Sequence, residues 1–393
     1  MSPEEWRMAS LIVSMAMLSM AIIGPLGMAE IDDGPLGLGG AGRETVKIGA
    51  IYNLEGSQST LDLPSSLGAR LAVDEINALG GIDGRRVELL LCDGESDPAR
   101  VRLCAEELAE ENVSAFVGLS DTDMVMAAAP VAAGAGIPFV TSGATSPRLA
   151  EEHDGLFLAC FGDDVQAAAG AERAFEMGFS TCALLVEGDM EFARLLAGYF
   201  RERYQDLGGA IIVEALVNGS DQAGLGRAVG EAGPDMIYLA AGPDSAGAIV
   251  EAIRGAGIDV PVFGGDSLDS PELRRAGTGW IVFSAHSLLD EASSRSGPFF
   301  RAYQAKYGHP PENAFAALGY DAVKLLAEAI DRAGSDDPVA IREALQETSG
   351  FEGVTGDISY EGGRRVPKKG VTMISTNDGV LEDSVVVTPE LPF

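Results

Sequence analysis

From Val46 onward, short apolar runs alternate with longer stretches whose apolar residues recur at near-helical spacing. The first strand-like run is Val46 to Tyr52, and a polar loop follows as far as Pro64. Residues 65–79 then form an amphipathic stretch that stops at a pair of glycines. This alternation predicts right-handed crossovers and parallel sheets with helices on both faces.

The alternation continues to residue 285, and the last third is mostly helical. Further strands are predicted at 86–91, 116–118, 137–141, 156–161, 181–186, 210–217, 236–241, 260–263 and 280–285, with short pieces at 356–360, 371–375 and 385–387. Helices are predicted at 97–112, 122–136, 163–177, 191–207, 245–256, 298–307, 313–333 and 338–348. About ten strands are too many for one compact sheet of this kind, so two lobes are expected. The late helices predict that the chain returns to the first lobe.

Two neighbouring apolar runs, within residues 116–147, each end in a small polar loop. In a parallel sheet both loops emerge at the carboxyl edge, where ligands bind. The small and hydroxylic residues in these loops are Ser120, Thr122, Thr141, Ser142, Gly143 and Thr145. Hydroxyls donate to a carboxylate and glycine admits a ligand to the backbone, so an anion site is predicted here. The alternative is that these hydroxyls cap helices and close turns.

Asp266 ends another strand-like run after two glycines. A carboxylate there can accept an ammonium group, or it can cap the following helix or simply be solvated. Phe192, near the start of the helix predicted at 191–207, is interpreted first as a core residue.

The chain has 393 residues and a net charge of −33. The acidity argues against a nucleic-acid binder, and it is consistent either with a salt-rich habitat or with solubility alone. Three scattered histidines and four cysteines without a CxxC pair indicate no metal site. Cys92 and Cys104 could pair in an oxidising compartment, but buried free thiols are the favoured expectation for these two. Whether Cys160 and Cys182 pair is left open by the sequence.

The amino terminus has an arginine followed by an uncharged apolar run, residues 8–28, and then small residues. This pattern predicts a secretory signal over 1–29, followed by a glycine-rich linker over 30–45. The alternative is an uncleaved membrane anchor. Both place most of the chain outside the cytoplasmic membrane, in the periplasm or extracytoplasmic envelope.

No GxSxG, P-loop or HExxH signature occurs, so an enzyme is not expected and no cofactor is implied.

Four stretches match one family in order and spacing. They are Gly68 to Gly84, Cys92-Asp-Gly-Glu-Ser-Asp-Pro98, Ile137 to Pro147 with its Ala-Thr-Ser-Pro end, and Tyr320-Asp-Ala322. In these stretches the chain from Val46 to Phe393 resembles the leucine/isoleucine/valine-binding proteins of branched-chain amino-acid ABC importers, which are type I periplasmic binding proteins.

The resemblance implies two Rossmann-like α/β lobes with parallel sheets, joined by three crossover strands. Lobe 1 would comprise 46–162 plus 287–367, and lobe 2 would comprise 163–286 plus 368–393. It also implies a monomer that captures an amino acid, branched-chain or related, by hinge closure and delivers it to ABC permease subunits.

The ligand-binding residues implied by the resemblance are Thr122, Gly143, Ala144, Thr145, Phe192 and Asp266. Thr122 would hold the ligand carboxylate, whereas Asp266 would pair with the ammonium. Phe192 replaces a customary tyrosine, and Leu61 and Gly242 stand where other members carry aromatic residues. These departures leave the ligand side chain open. A sensor of an amide, urea or aromatic acid and a secreted α/β enzyme are the alternatives.

Overall fold

The computed structural model describes residues 45–217, 222–275 and 277–389 of the chain. The predicted signal segment, and the predicted linker apart from Thr45, lie outside the described residues. In the part described, no helix is both long and apolar enough to cross a membrane.

The first sheet is parallel throughout and has the strand order β2-β1-β3-β4-β5. Its strands are β1 (Val46–Tyr52), β2 (Val87–Asp93), β3 (Ala115–Gly118), β4 (Phe139–Thr141) and β5 (Leu156–Leu158). β3 and β4 are buried along their whole length, which explains why they appear as continuous apolar runs in the sequence.

The second sheet has the order β14-β13-β10-β9-β8-β6-β7. Its strands are β6 (Thr181–Glu187), β7 (Ala210–Val217), β8 (Met236–Ala240), β9 (Val262–Gly264), β10 (Trp280–Ala285), β13 (Val371–Asn377) and β14 (Val380–Val387). The first five of these strands are parallel, whereas β13 and β14 form an antiparallel hairpin at the edge. Pairing with β13 makes β14 longer than the short piece predicted at 385–387.

The helices cover both sheets. They are α1 (Ser59–Ala78), α2 (Pro98–Glu110), α3 (Thr122–Ala135), α4 (Pro147–Glu152), α5 (Asp163–Glu176), α6 (Glu191–Asp206), α7 (Gln222–Ala232), α8 (Pro243–Gly255), α9 (Gly297–Tyr307), α10 (Phe315–Ala333) and α11 (Pro338–Gln346). The two-stranded sheet β11 (Phe351–Gly353) and β12 (Gly356–Ile358) follows α11. The sequence pattern did not predict α7.

The parallel strands of the two sheets have the same topology. Their order is β2-β1-β3-β4-β5 in the first sheet and β7-β6-β8-β9-β10 in the second. The chain passes between the sheets three times, through residues 159–162, 286–296 and 364–370. The predicted two-lobed α/β fold with three crossings is therefore confirmed. In such sheets the carboxyl ends of the strands, at the point where the order reverses, are the usual ligand-binding edge.

The last helices return to the first lobe. α10 packs on α1, and this contact depends on two glycines. A Cβ on Gly68 would lie 1.8 Å from Ala316 O, and one on Gly319 would lie 1.9 Å from Ser65 O. Glycine therefore allows the two helix backbones to touch close to the carboxyl edge of the first sheet.

Helix α1 begins earlier than predicted, at Ser59 instead of residue 65. Pro64 lacks an N–H and leaves the carbonyl of Thr60 without its helical partner. Asn313 Nδ2 donates to that carbonyl at 3.0 Å, which compensates for the missing bond. The donor comes from a remote part of the chain, so the helix start could not be predicted locally.

Cys92 and Cys104 form a disulfide, with Cα atoms 5.6 Å apart. The expectation of free thiols was therefore wrong for this pair. Cys160 and Cys182 are buried free thiols.

Candidate functional site

The turn that follows β3 has an unusual backbone. Gly118 has φ +127°, and a Cβ there would lie 2.0 Å from Ile51 O. Leu119 has φ +55°, which is costly for a residue with a side chain. Its carbonyl accepts hydrogen bonds from Thr141 Oγ1 at 2.8 Å and Ser142 Oγ at 3.3 Å. These two hydroxyls therefore hold the turn, which is the alternative role considered for them in the sequence.

The turn places the hydroxyls of Ser120 and Thr122 at the start of α3. Asp121 is the N-cap residue, since its Oδ1 accepts from Met124 N at 3.1 Å. Thr122 is consequently not needed as a cap. Thr122 Oγ1 is buried and has no hydrogen-bond partner, and the buried Ser120 hydroxyl lies beside Asp62. A buried hydroxyl without an acceptor in the protein marks a candidate position for an acceptor atom of a ligand.

The loop after β4 lies beside them. A Cβ on Gly143 would lie 2.7 Å from the ring of Phe315 and 3.0 Å from Ser120 Cβ, so only glycine fits. Ala144 O accepts from Cys160 Sγ at 3.3 Å. Thr145 O accepts from Asp163 N at 2.8 Å, which ties this loop to the first residue of α5.

Gln166 connects the two lobes. Its Nε2 lies 3.4 Å from Thr145 Oγ1 and donates to Asp163 Oδ1 at 2.9 Å and to Asp266 Oδ1 at 3.0 Å. Its Oε1 accepts from Asp266 N at 3.0 Å and from Ser284 Oγ at 2.6 Å. One fully buried amide thus fixes the orientation of the Asp266 carboxylate.

His286 is the second partner of Asp266. Its Nε2 lies 2.9 Å from Asp266 Oδ2, and its Nδ1 is buried without a partner. The imidazole stacks on Phe161 at 4.1 Å between centroids and meets Phe315 edge-on at 5.3 Å. Asp266 therefore begins a 3-10 turn (Asp266–Leu268) with both carboxylate oxygens already engaged.

A direct bridge between the lobes lies next to Thr122. Asp123 on α3 accepts from the backbone N–H groups of Glu191 at 3.0 Å and Phe192 at 3.2 Å, at the start of α6. The ring of Phe192 reaches to 3.6 Å from where a Cβ on Gly265 would stand. Phe192 is thus packed between the Thr122 and Asp266 regions.

Leu61 packs in the apolar cluster that contains Ala144 and Phe315, close to the predicted site. Gly242 lies within the second lobe, where its N–H donates to Glu187 Oε2 at 2.8 Å. Its described contacts are with Glu187, Met190, Ser245 and Ala246. Leu61 thus packs with the first-lobe residues of the predicted site. The neighbours of Gly242 are not among the predicted site residues.

Three carboxyl groups beside these residues have raised pKa values. Burial raises the pKa of Asp62 to about 6, although hydrogen bonds from Asn53 and Ser120 oppose the shift. Burial, followed by the charge of Asp123, raises the pKa of Asp121 to about 8. Burial also raises the pKa of Asp163 to about 8, against a hydrogen bond from Thr145.

These shifts predict how stability depends on pH. A carboxyl whose folded pKa lies above its unfolded value of 3.8 keeps its proton longer in the folded state. The free energy of unfolding therefore falls as pH rises from about 4 to about 8. We expect urea unfolding at pH 5, 6.5 and 8 to show this fall, with a shallower slope in an Asp121→Asn/Asp163→Asn double variant. Equal slopes in the two proteins would contradict the assignment.

Sequence reasoning missed Asp62, Asp123, Gln166, His286 and Phe315. Two signals were present: Gln166 follows Asp163 by three residues at a helix start, and His286 directly follows a strand. Asp62 was hidden inside a stretch predicted to be a loop. Among the described residues, no group of three His, Cys, Asp or Glu side chains is arranged to hold a metal ion.

The comparisons with known proteins match the chain to one family. The model of a family described as "Periplasmic binding protein" matches residues 45–379. A Leu/Ile/Val-binding protein homolog 1 from Brucella abortus (strain 2308) is 26% identical over 336 residues, covering 83% of this chain and 89% of that protein.

Two solved structures are similar over nearly their whole length. One is the branched-chain amino acid transporter substrate binding protein LivJ from Streptococcus pneumoniae in complex with isoleucine, with 31% identity and a TM-score of 0.81, covering 88% of this chain and 100% of that chain. The other is a leucine binding protein, LivK, from Thermotoga maritima, with 27% identity and a TM-score of 0.81, covering 88% and 99%.

Proposed function

This chain belongs to the periplasmic binding protein family, and from that premise we propose that it captures an amino acid between its two lobes and delivers it to an ABC importer. The similar structures from Streptococcus pneumoniae and Thermotoga maritima are described as a branched-chain amino acid transporter component and a leucine binding protein. The ligand class proposed for this chain is accordingly a branched-chain or related amino acid.

One observation carries the proposal. Gly143 and Thr145 of the first lobe are linked to Asp266 of the second lobe through the buried side chains of Gln166, Phe315 and His286. The first-lobe side presents the unpartnered hydroxyl of Thr122, and the second-lobe side presents a carboxylate held in a fixed orientation. Hydroxyl donors and a carboxylate acceptor on opposite sides suit a ligand that carries both charges.

The mechanism that we propose is hinge closure over the ligand. The three crossings can act as the hinge, and the Asp123 carboxylate caps α6 only when the lobes are together. Ligand then stabilises the closed form through its higher affinity for that form. The lobe boundaries, 46–162 plus 287–367 and 163–286 plus 368–393, are part of this proposal.

Family membership implies an extracytoplasmic location and a membrane permease as partner, and it favours binding over catalysis. We further propose that the protein is a monomer, that residues 1–29 act as an export signal, cleaved or retained as an anchor, and that residues 30–45 act as a linker.

A ligand screen tests the function. In thermal-shift and calorimetric titrations over amino acids, amides, urea and aromatic acids, we expect an amino acid to bind. At a hundred times its Kd it should raise the unfolding free energy by about 2.7 kcal/mol. Small-angle scattering should also show a more compact protein with ligand.

The control is the 2-oxo acid of the best amino acid, which keeps the carboxylate and side chain but lacks the ammonium. We expect it to bind at least tenfold more weakly. Binding of an amide, urea or aromatic acid in place of every amino acid would overturn the proposal and favour a sensor. Turnover of the ligand would favour an enzyme.

A further inference from the structure

Each lobe contributes an aspartate to the start of a helix in the other lobe. In the first direction, Asp123 on α3 accepts from two backbone N–H groups at the start of α6. In the reverse direction, Asp269 lies between β9 and β10 of the second sheet, and its Oδ2 accepts from Ala314 N at 3.0 Å, at the start of α10. In the described chain, neither helix is capped by the side chain of its own N-cap residue. Each helix start therefore receives a carboxylate from the opposite lobe.

Asp269 is held in position within its own lobe. Its Oδ1 is paired with Arg274 Nη2, and Arg274 Nη1 donates to Glu312 O of the first lobe at 2.6 Å. The Asp269–Arg274 pair thus offers one acceptor and one donor to the backbone of residues 312–314. The ion pair itself joins two residues of the same lobe, so it does not depend on closure. The two hydrogen bonds to the backbone do depend on closure, and both are strengthened by a charged partner.

The backbone that receives the pair is fixed within the first lobe. Asn313 Nδ2 donates to Thr60 O at 3.0 Å, and Asn313 Oδ1 accepts from Phe315 N at 3.2 Å. Tyr303 Oη donates to Glu312 Oε2 at 2.8 Å. Contact between two groups that are already ordered costs little conformational entropy, so more of its free energy is available to hold the lobes together.

Both contacts between the lobes lie next to residues of the candidate site. Ala314 directly precedes Phe315, and a Cβ on Gly143 would lie 2.7 Å from the ring of Phe315. Phe192 is one of the two residues whose N–H groups Asp123 accepts. Asp269 and Ala314 are only 2% and 1% exposed, so water competes little for their hydrogen bond. A contact that forms only in the closed state raises affinity without touching the ligand, because it favours the state that binds best.

We propose that Asp269 and Arg274 are positioning residues, which hold the lobes together over the ligand and fix Phe315 at the site. This inference rests on the proposed function and deepens it, since it adds a second closing contact to the one made by Asp123. Ligand meets the open state first, so the Asp269–Arg274 pair acts after association. It should therefore slow dissociation more than it changes association.

The test is a stopped-flow measurement of both rates with the best amino acid of the screen. We expect Asp269→Ala to raise the dissociation rate about tenfold or more and to change the association rate less than about threefold. Asp269→Asn keeps an oxygen that can accept from Ala314 N, so it should recover part of the loss. Arg275→Ala is the matched control, because this neighbouring arginine has a 67% exposed side chain and pairs with Glu272 of its own lobe. It should change neither rate.

Urea unfolding of the ligand-free variants separates closure from folding, since a residue that only supports the fold would lower stability and leave the dissociation rate unchanged. A folded Asp269→Ala variant with an unchanged dissociation rate, or with its loss of affinity entirely in association, would contradict the inference and leave the proposed function standing. If no amino acid binds the unsubstituted protein, both are wrong. If Asp269→Ala does not fold, Arg274→Gln decides: we expect dissociation about threefold faster, and an unchanged rate would refute the inference.

Discussion

Replacement of Asp266 by alanine is expected to weaken amino-acid binding by about 2–5 kcal/mol, or about 30-fold to several thousand-fold in Kd. The carboxylate is 3% exposed and is held by Gln166 Nε2 at 3.0 Å and His286 Nε2 at 2.9 Å. A buried and oriented acceptor interacts with an ammonium far more strongly than a solvated one does, because water competes little for either charge. Calorimetry with the best ligand of the screen measures the effect.

Folding must be measured separately, since the same substitution leaves the donors of Gln166 and His286 without an acceptor. That loss costs about 1–3 kcal/mol of stability for each buried group left unpaired. Urea unfolding of the ligand-free variant isolates this effect. Asp206→Ala, an exposed change at the end of α6, is the matched control and should alter neither quantity. Unchanged affinity in a folded Asp266→Ala variant would remove Asp266 from the site.

Loss of the Cys92–Cys104 disulfide is expected to lower the free energy of unfolding by about 3 kcal/mol. The bond joins the end of β2 to α2 and closes a loop of 12 residues, which restricts the unfolded chain. A Cys92→Ala/Cys104→Ala variant and the unsubstituted protein with reductant should both show the loss in urea unfolding. Reductant should have no further effect on the double variant, which is the internal control.

Thiol titration in denaturant provides an independent check on the disulfide. Two cysteines, Cys160 and Cys182, should react before reduction, and all four should react afterwards. Four reactive thiols in unreduced protein would show that the bond does not form.

Much of the fold could be predicted because parallel strands buried on both faces are continuous apolar runs. β1, β3 and β6 follow this rule and were found close to their observed bounds. The start of α1 could not be predicted, since Pro64 is tolerated only with help from Asn313. The β13–β14 hairpin was underestimated because its length comes from pairing and not from apolar content.

The residues of the candidate site also divide into those that the sequence could identify and those that it could not. Thr122, Thr145 and Asp266 could be selected because each lies at or just beyond the end of a strand, a position that the sequence pattern reveals. The resemblance to a known family added their roles as predictions. Thr141 and Ser142 were selected by the same rule, but their hydroxyls bind the Leu119 carbonyl. Residue type and position at a strand end therefore do not distinguish a ligand donor from a group that supports the turn.

The sequence by itself determined the alternation of strands and helices, the two-lobed plan and the strand ends where a ligand can bind. Only the tertiary structure decided which groups at those ends remain free and which are already paired. Gln166 meets Asp266 across 100 residues, and Phe315 closes over Gly143 from a helix that returns late in the chain. Whether a buried polar group is hydrogen-bonded depends on the partner that the fold brings within about 3 Å of it, and the local sequence does not specify that partner.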